Sequence, residues 1–231
     1  MRLARLLAFM IGMAVAAAHA DAADVSYPPG SRIGLAPPSG MVTSKNFFGF
    51  EDPTTSAAIA LVSLPAEAFA ALEGSMNAGT LKRQGLTLEK RDALSLATGK
   101  AFLIVGQQEI DNVKVRKWVL VGASPGMTAL VTVQVPETAR PLYPDPAVRA
   151  ALETLAIRSS VPVDEQLGLL PFKVDELAGF RVEGVIPGRA VVLTDVPSVP
   201  PAQPAQLFIN VAPGGPGQTA ERDAFARDVF A

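Results

Sequence analysis

Apolar positions along the chain fall into stretches of different period. Residues 57–64 (AAIALVSL) read as a buried strand, with Ile59, Leu61 and Ser63 on one face. Pro65 follows at an expected first helical position, where a missing N–H costs nothing, and Glu67 suits the positive end of the helix dipole. Phe69, Leu72 and Met76 recur at i, i+3 and i+7 and predict a helix over 65–76, stopped by Asn77 to Gly79. The period then changes to two, and 86–94, 101–110, 113–122 and 127–135 are expected as four consecutive strands. Asp111-Asn112 and Ser124-Pro125-Gly126 are turns too short for anything but antiparallel pairing. Asp145-Pro146 reads as an N-cap with proline at the first helical position, and Val148, Leu152 and Leu155 give a second amphipathic helix over 146–157.

Residues 21–31 are expected as a flexible N-terminus ended by Pro28-Pro29-Gly30, followed by a strand at 33–36, a turn at 37–40 and an extended piece at 47–51. Residues 32–158 then form one α+β domain, an antiparallel sheet with helices packed on it. A linker is expected at 159–170. Strands follow at 172–174, 180–186, 190–194 and 206–211, with a proline-rich loop at 196–205. PGGPG at 213–217 turns the chain into a final helix capped by Thr219 and carrying Phe225 and Val229. Gly179-Phe180 and its surroundings weakly repeat Gly49-Phe50 and the strand, proline and helix after it. The second copy, 171–231, lacks the four strands and closing helix of the first. Such a partial module has an unpaired strand edge, so it is expected to dock on the first domain or to self-associate with another chain.

Ile33-Gly34-Leu35, then Pro37-Pro38-Ser39-Gly40-Met41, then Phe48-Gly49-Phe50-Glu51-Asp52 resemble an exported bacterial group with the Mog1/PsbP-like fold. The strand running into Pro65 fits the same pattern, as does the order helix, four strands, helix over 65–157. The resemblance covers about residues 27–158. It implies an α+β fold and a non-enzymatic binding module, since the family includes a nuclear-transport GTPase cofactor and an extrinsic photosystem subunit. It supplies no site residue.

Composition changes the picture most at the N-terminus. Arg2 and Arg5, an apolar run from Leu6 to Ala18, and Ala18-His19-Ala20 form a signal peptide over 1–20, with cleavage after Ala20 and export to a periplasm. The apolar run is too short for a stable membrane anchor. His19 is the chain's one histidine and cysteine is absent. The exported chain therefore has neither imidazole nor thiol, which removes Ser-His-Asp and Cys-His catalysis and the usual zinc, copper and iron ligands. Without its two leader arginines the chain carries a net charge of about −4, which argues against nucleic acid.

Other chemistry finds no arrangement to carry it. No S-x-x-K stands in a strand-to-helix context, and no calcium-loop spacing occurs. Glu51-Asp52, Asp164-Glu165 and Asp175-Glu176 are adjacent pairs that point to opposite faces in extended chain. The PGGPG loop precedes Gln218-Thr219, not the Lys-Ser/Thr of a phosphate loop. No catalytic residue, metal or cofactor is expected. One asymmetry remains: Lys82, Arg83, Lys90, Arg91, Lys100, Lys114, Arg116 and Lys117 make residues 82–117 basic. Lys114, Arg116 and Trp118 share one face of a strand and form a candidate partner-binding face, or alternatively a solvated sheet surface. The expected function is a non-catalytic periplasmic binding or assembly module with a protein partner. The alternatives are a carboxylate- or lysine-dependent hydrolase and a small-ligand carrier with an enclosed apolar pocket.

Overall fold

A computed structural model of the chain describes residues 24–195, 204–211 and 214–230. The signal peptide expected at 1–20, its expected cleavage after Ala20 and most of the proline-rich loop lie outside them. The chain opens with β1 (Ile33–Gly34), β2 (Val42–Thr43), β3 (Gly49–Asp52) and β4 (Ala57–Leu64). Two helices follow, α1 (Ala68–Ser75) and α2 (Ala78–Arg83), then β5 (Leu86–Leu96), β6 (Gly99–Ile110), β7 (Val113–Ser124) and β8 (Met127–Pro136). The first unit closes with α3 (Asp145–Glu153) and β9 (Ala156–Ile157). Seven strands form one antiparallel sheet in the order β2-β3-β4-β8-β7-β6-β5. The short pair β1–β9 sets Ile33 opposite Ile157 and ties the two ends of the domain together.

Both faces of this sheet are covered. Leu103, Trp118, Leu120, Val131 and Val133 pack on one face beneath Val148 and Leu152 of α3. Phe102, Ile104, Val119 and Val121 line the other, against Phe69, Leu72 and Met76 of the α1 segment and Leu81 of α2. The stripe expected over 65–76 is therefore the half-buried one that faces the sheet. Its helix is shorter, because Pro65 to Glu67 form a turn in which Ala68 N–H reaches the Pro65 carbonyl. Asn77 ends α1 but also starts α2, its side chain accepting from Thr80 N–H at 3.1 Å. Asp145 is the first residue of α3 rather than its cap, a position held by Pro144.

A bulge decides which residues of β5 meet which core. The register slips between Leu88 and Lys90, leaving Glu89 extra opposite Gly106, where a Cβ would stand 2.3 Å from the Thr87 carbonyl oxygen. Leu86 and Leu88 consequently join the α1–α2 face while Leu94 and Leu96 join the α3 face.

Residues 24–31 run beside β1 rather than as a loose lead-in: Ser26 and Leu35 exchange backbone hydrogen bonds, and Ser31 is buried. Residues 159–170, expected as a plain linker, contain α4 (Val163–Leu167) because Pro162 and the first-turn carboxylates Asp164 and Glu165 favour a helix start. Beyond it, β10 (Arg181–Ile186), β11 (Ala190–Thr194) and β12 (Gln206–Asn210) make a three-stranded antiparallel sheet in that order. No strand forms at 172–174. Phe172 and Val174 instead pack with Leu167 and Leu170 against Val191 and Leu193. A single helical turn at Thr219–Glu221 leads into α5 (Arg222–Phe230), and Gln218 rather than Thr219 stands at its cap position.

Candidate functional site

The three residues of the sequence-derived face lie on the same side of β7 but at different depths. Lys114 is exposed, opposite Glu109 of β6. Arg116 is buried, and Trp118 is among the most deeply buried side chains of the core. The Arg116 guanidinium lies over the Trp118 ring, 5.6 Å from its centroid. Its Nη1 donates to Glu89 and its Nη2 to Asp145 Oδ2 at 2.6 Å. Burial opposes its charge, but the hydrogen bonds from Asp145 and Glu89 outweigh that and raise its pKa.

The bulge at Glu89 and the first turn of α3 thus meet at one buried guanidinium. Next to it Arg149 of α3 donates to Asp92 Oδ2 at 2.7 Å, and Lys90 reaches the same oxygen at 2.8 Å. Those contacts, Lys90 first, lower the Asp92 pKa. This network clamps α3 to the edge of the sheet. A cavity of about 440 Å³ opens between its members. Glu89 and Asp145 both line this cavity, with the Arg116 guanidinium hydrogen-bonded to each of them.

The other basic residues divide between the faces. Arg91, on the opposite face, lies 4.6 Å from the Phe102 centroid and donates to the Glu73 and Met76 carbonyls at the end of α1. Lys117 donates to Gln108 Oε1 at 2.8 Å, and burial pushes its pKa down. Among the described residues there is no group of three or more potential metal-ligating side chains, and no helix is long and apolar enough to cross a membrane.

A buried carboxylate, Asp52, ends β3. It accepts from the Thr54 and Thr55 hydroxyls at 2.6 and 2.7 Å, from Thr54 N–H at 2.9 Å and from Tyr143 Oη at 2.8 Å. These bonds, Thr54's first, hold its pKa well below the carboxylate range, and burial beside Asp52 pushes Tyr143 up to about 12. The cluster pins the β3–β4 turn to the segment before α3.

A larger recess lies at the opposite end of the sheet and has a different character. It is a groove of about 870 Å³ bordered by Pro28 and Pro29, the β2–β3 hairpin tip with Phe47 and Phe48, Val62 of β4, and Leu169. Lys45 is the one ionisable residue in its wall. Local sequence builds each side. Pro28 to Ser31 close a turn with Ser31 N–H on the Pro28 carbonyl, and Gly30 sits at φ +79° where a Cβ would strike Leu169 and Phe48. Gly49, at φ +155°, lies against the Ile59 carbonyl, close enough that only glycine fits. That close pairing leaves Phe47 and Phe48 projecting from the hairpin tip, each more than a third exposed.

The groove escaped the sequence reading because its walls come from residues 28–29, 43–48, 60–62 and 169. The signal present was Phe47-Phe48: two adjacent aromatics before Gly49 cannot both face the core in extended chain.

No family model matches the chain, and no curated protein matches it. Among solved structures, a Pseudomonas aeruginosa protein of unknown function, PA94, is 18% identical with a TM-score of 0.37, over 59% of this chain and 86% of that one. LpqN of Mycobacterium tuberculosis, described as involved in cell envelope biogenesis, is 17% identical with a TM-score of 0.35, over 60% and 87%. The PsbP protein (CyanoP) of the cyanobacterium Synechocystis sp. PCC 6803 is 10% identical with a TM-score of 0.37, over 64% and 100%. The α+β class stands on the sheet order and the helix packing themselves.

Proposed function

We propose that the chain is a non-catalytic binding module acting outside the cytoplasm, and that the groove between the β2–β3 tip and Leu169 takes an extended apolar segment of a protein partner. The observation that carries this is the open, nearly uncharged wall with Phe48 and Val62 facing solvent. An apolar surface of this kind on an otherwise charged exterior is typical of an interaction site. The groove is open along one side, unlike the enclosed cavity that a small-ligand carrier uses. Beside it runs the outer edge of β2. Ser44 N–H bonds the Gly49 carbonyl, so alternation turns the backbone groups of Thr43 and Lys45 outward, away from β3. A partner strand added there would set alternate side chains into the groove. The leader at 1–20 supports the extracytoplasmic setting.

A photo-crosslinking amino acid placed at Phe48 or Val62 tests the reading in a bacterial host expressing the full chain. The expected result is a polypeptide adduct from both positions that disappears when Thr43→Pro removes an outward N–H. An adduct confined to small molecules or lipid, or none above that from position Glu153, overturns it.

A further inference from the structure

We propose that β12 pairs, edge to edge and antiparallel, with the β12 of a second copy, joining two three-stranded sheets into one of six strands. This rests on the C-terminal unit alone and is independent of the groove.

Among the described residues four strands bound the two larger sheets; β5 and β10 are blunted against association, and β2 borders the groove assigned above to a partner. β2 is two residues long. β5 carries Glu89, Lys90, Arg91 and Asp92 together with its bulge. β10 carries Arg181 and Glu183 and a register shift between Val182 and Gly184. Charge and bulges are devices by which sheet edges avoid foreign strands, and a two-residue edge is too short to pair two copies by itself. β12, QLFIN, has no charge, no proline and an unbroken register with β11.

Its free edge is also self-complementary. Val211 N–H bonds the Arg189 carbonyl and Asp195 N–H bonds the Ala205 carbonyl, so residues 205, 207, 209 and 211 direct their backbone groups to β11. By alternation Gln206, Phe208 and Asn210 direct theirs outward. A two-fold axis at Phe208 sets Phe208 opposite Phe208 and Gln206 opposite Asn210 of the other copy, which engages every outward N–H and C=O of the strand. The two amide side chains face each other across the axis, and Leu207 meets Ile209. Pro204, next in the outward alternation, has no N–H and ends the ladder.

Packing points to the same occupant. Among the described residues the buried cluster of this unit is Leu170, Val191 and Leu193, with Ile209 and seven other half-buried apolar residues on its border. A core that small is marginal alone, and pairing fuses two of them. Leu207, Phe208 and Val211 are 45%, 63% and 38% exposed at this edge. Covering them in both copies buries on the order of 500 Å², below the ~1,200 Å² of stable complexes, so the dimer is weak and concentration-dependent.

Sedimentation velocity on the full chain from about 5 μM to 1 mM tests this. The expected result is reversible dimerisation toward the upper end, lost in Phe208→Pro. That variant deletes one outward N–H and leaves the β11 ladder intact, so dilute protein should show an unchanged far-ultraviolet spectrum. Because the chain has no cysteine, Phe208→Cys offers a second reading that does not depend on the proline variant folding. Paired residues at this register lie ~5.5 Å apart, within disulfide reach. Mild oxidation should give a disulfide dimer from Phe208→Cys at least tenfold faster than from Glu153→Cys. A wild-type chain that stays monomeric to about 1 mM, as it would if a foreign strand were the true occupant, overturns the proposal. So does equal cross-linking at the two positions.

Discussion

Arg116 is 9% exposed, its Nη atoms reach Glu89 and Asp145, and its Nε has no partner among the described residues. Its hydrogen bonding therefore depends on those two carboxylates. Glu89→Gln or Asp145→Asn alone leaves the guanidinium one of them. Glu89 and Asp145 are themselves 37% and 42% exposed, so solvent screens each pair, and each single replacement should cost about 1 kcal/mol. The double variant strands a buried cation over Trp118, a situation that costs about 3–5 kcal/mol. Its loss should thus exceed the sum of the singles by about 1–3 kcal/mol, the size of coupling expected within one ion-pair network. Adding Arg116→Met to the double variant removes the charge but keeps an apolar stem on Trp118, and should recover most of that excess.

Urea unfolding at pH 7 measures all four variants, with Trp118, the chain's single tryptophan and 1% exposed, as an internal reporter. Equal m-values are required before midpoints are compared. If the double variant's loss equals the sum of the singles within about 0.3 kcal/mol, the unpaired guanidinium reaches water. Arg116 would then belong with Lys114 on an open contact face, and the clamp described here would be refuted.

Two further outcomes follow from buried groups elsewhere. The Asp52 pKa is depressed in the fold, so its contribution is fully present above its ordinary value of 3.8 and is lost as pH falls below it. Asp52→Asn should lower stability at pH 7 and flatten the acid limb between about pH 5 and 2, and parallel acid limbs in the two proteins would refute the role given to the Thr54–Thr55–Tyr143 cluster. Gly106→Ala places a Cβ 2.3 Å from the Thr87 carbonyl oxygen, opposite the bulge, and should cost about 2–4 kcal/mol by thermal or urea unfolding, whereas Gly126→Ala, at a turn with open space, should cost less despite its positive φ.

How far the fold was legible follows from which of these features are local. The four strands from β5 to β8 lie within two residues of the expected boundaries because alternation and tight turns are written in consecutive residues. The alternation of Lys114, Arg116, Trp118 and Leu120 correctly places them on one face of β7. It could not say that α3, some 30 residues on, covers the Trp118 end of that face and brings Asp145 to Arg116. In β5 the even-numbered leucines look equivalent, and only the Glu89 bulge, a property of the pairing with Gly106, sends Leu88 and Leu94 to opposite cores. The groove is further from legibility still, since no two of its walls are continuous in sequence except the hairpin tip.

The two units solve one problem to different degrees, and that difference locates the contact surfaces. In the first unit α3 covers one face of the sheet and α1 with α2 the other; charge and a bulge blunt the β5 edge, and the short β2 edge borders the groove. In the second, one face of three strands is packed, while Phe208 faces outward on an uncharged edge. Leu169, just beyond α4, also completes the groove wall against Phe48. Stability and contact are therefore carried by separate residues. Changes at Glu89, Arg116 or Asp145 should lower the unfolding free energy of the first unit and leave cross-linking at Phe48 and dimerisation through Phe208 intact below the unfolding midpoint. Phe48 and Phe208 variants should do the reverse, because both side chains are largely in water and lose little packing when replaced. A clamp variant that abolished both contacts while the protein remained folded would show that the two units share one surface, and this division of labour would have to be abandoned.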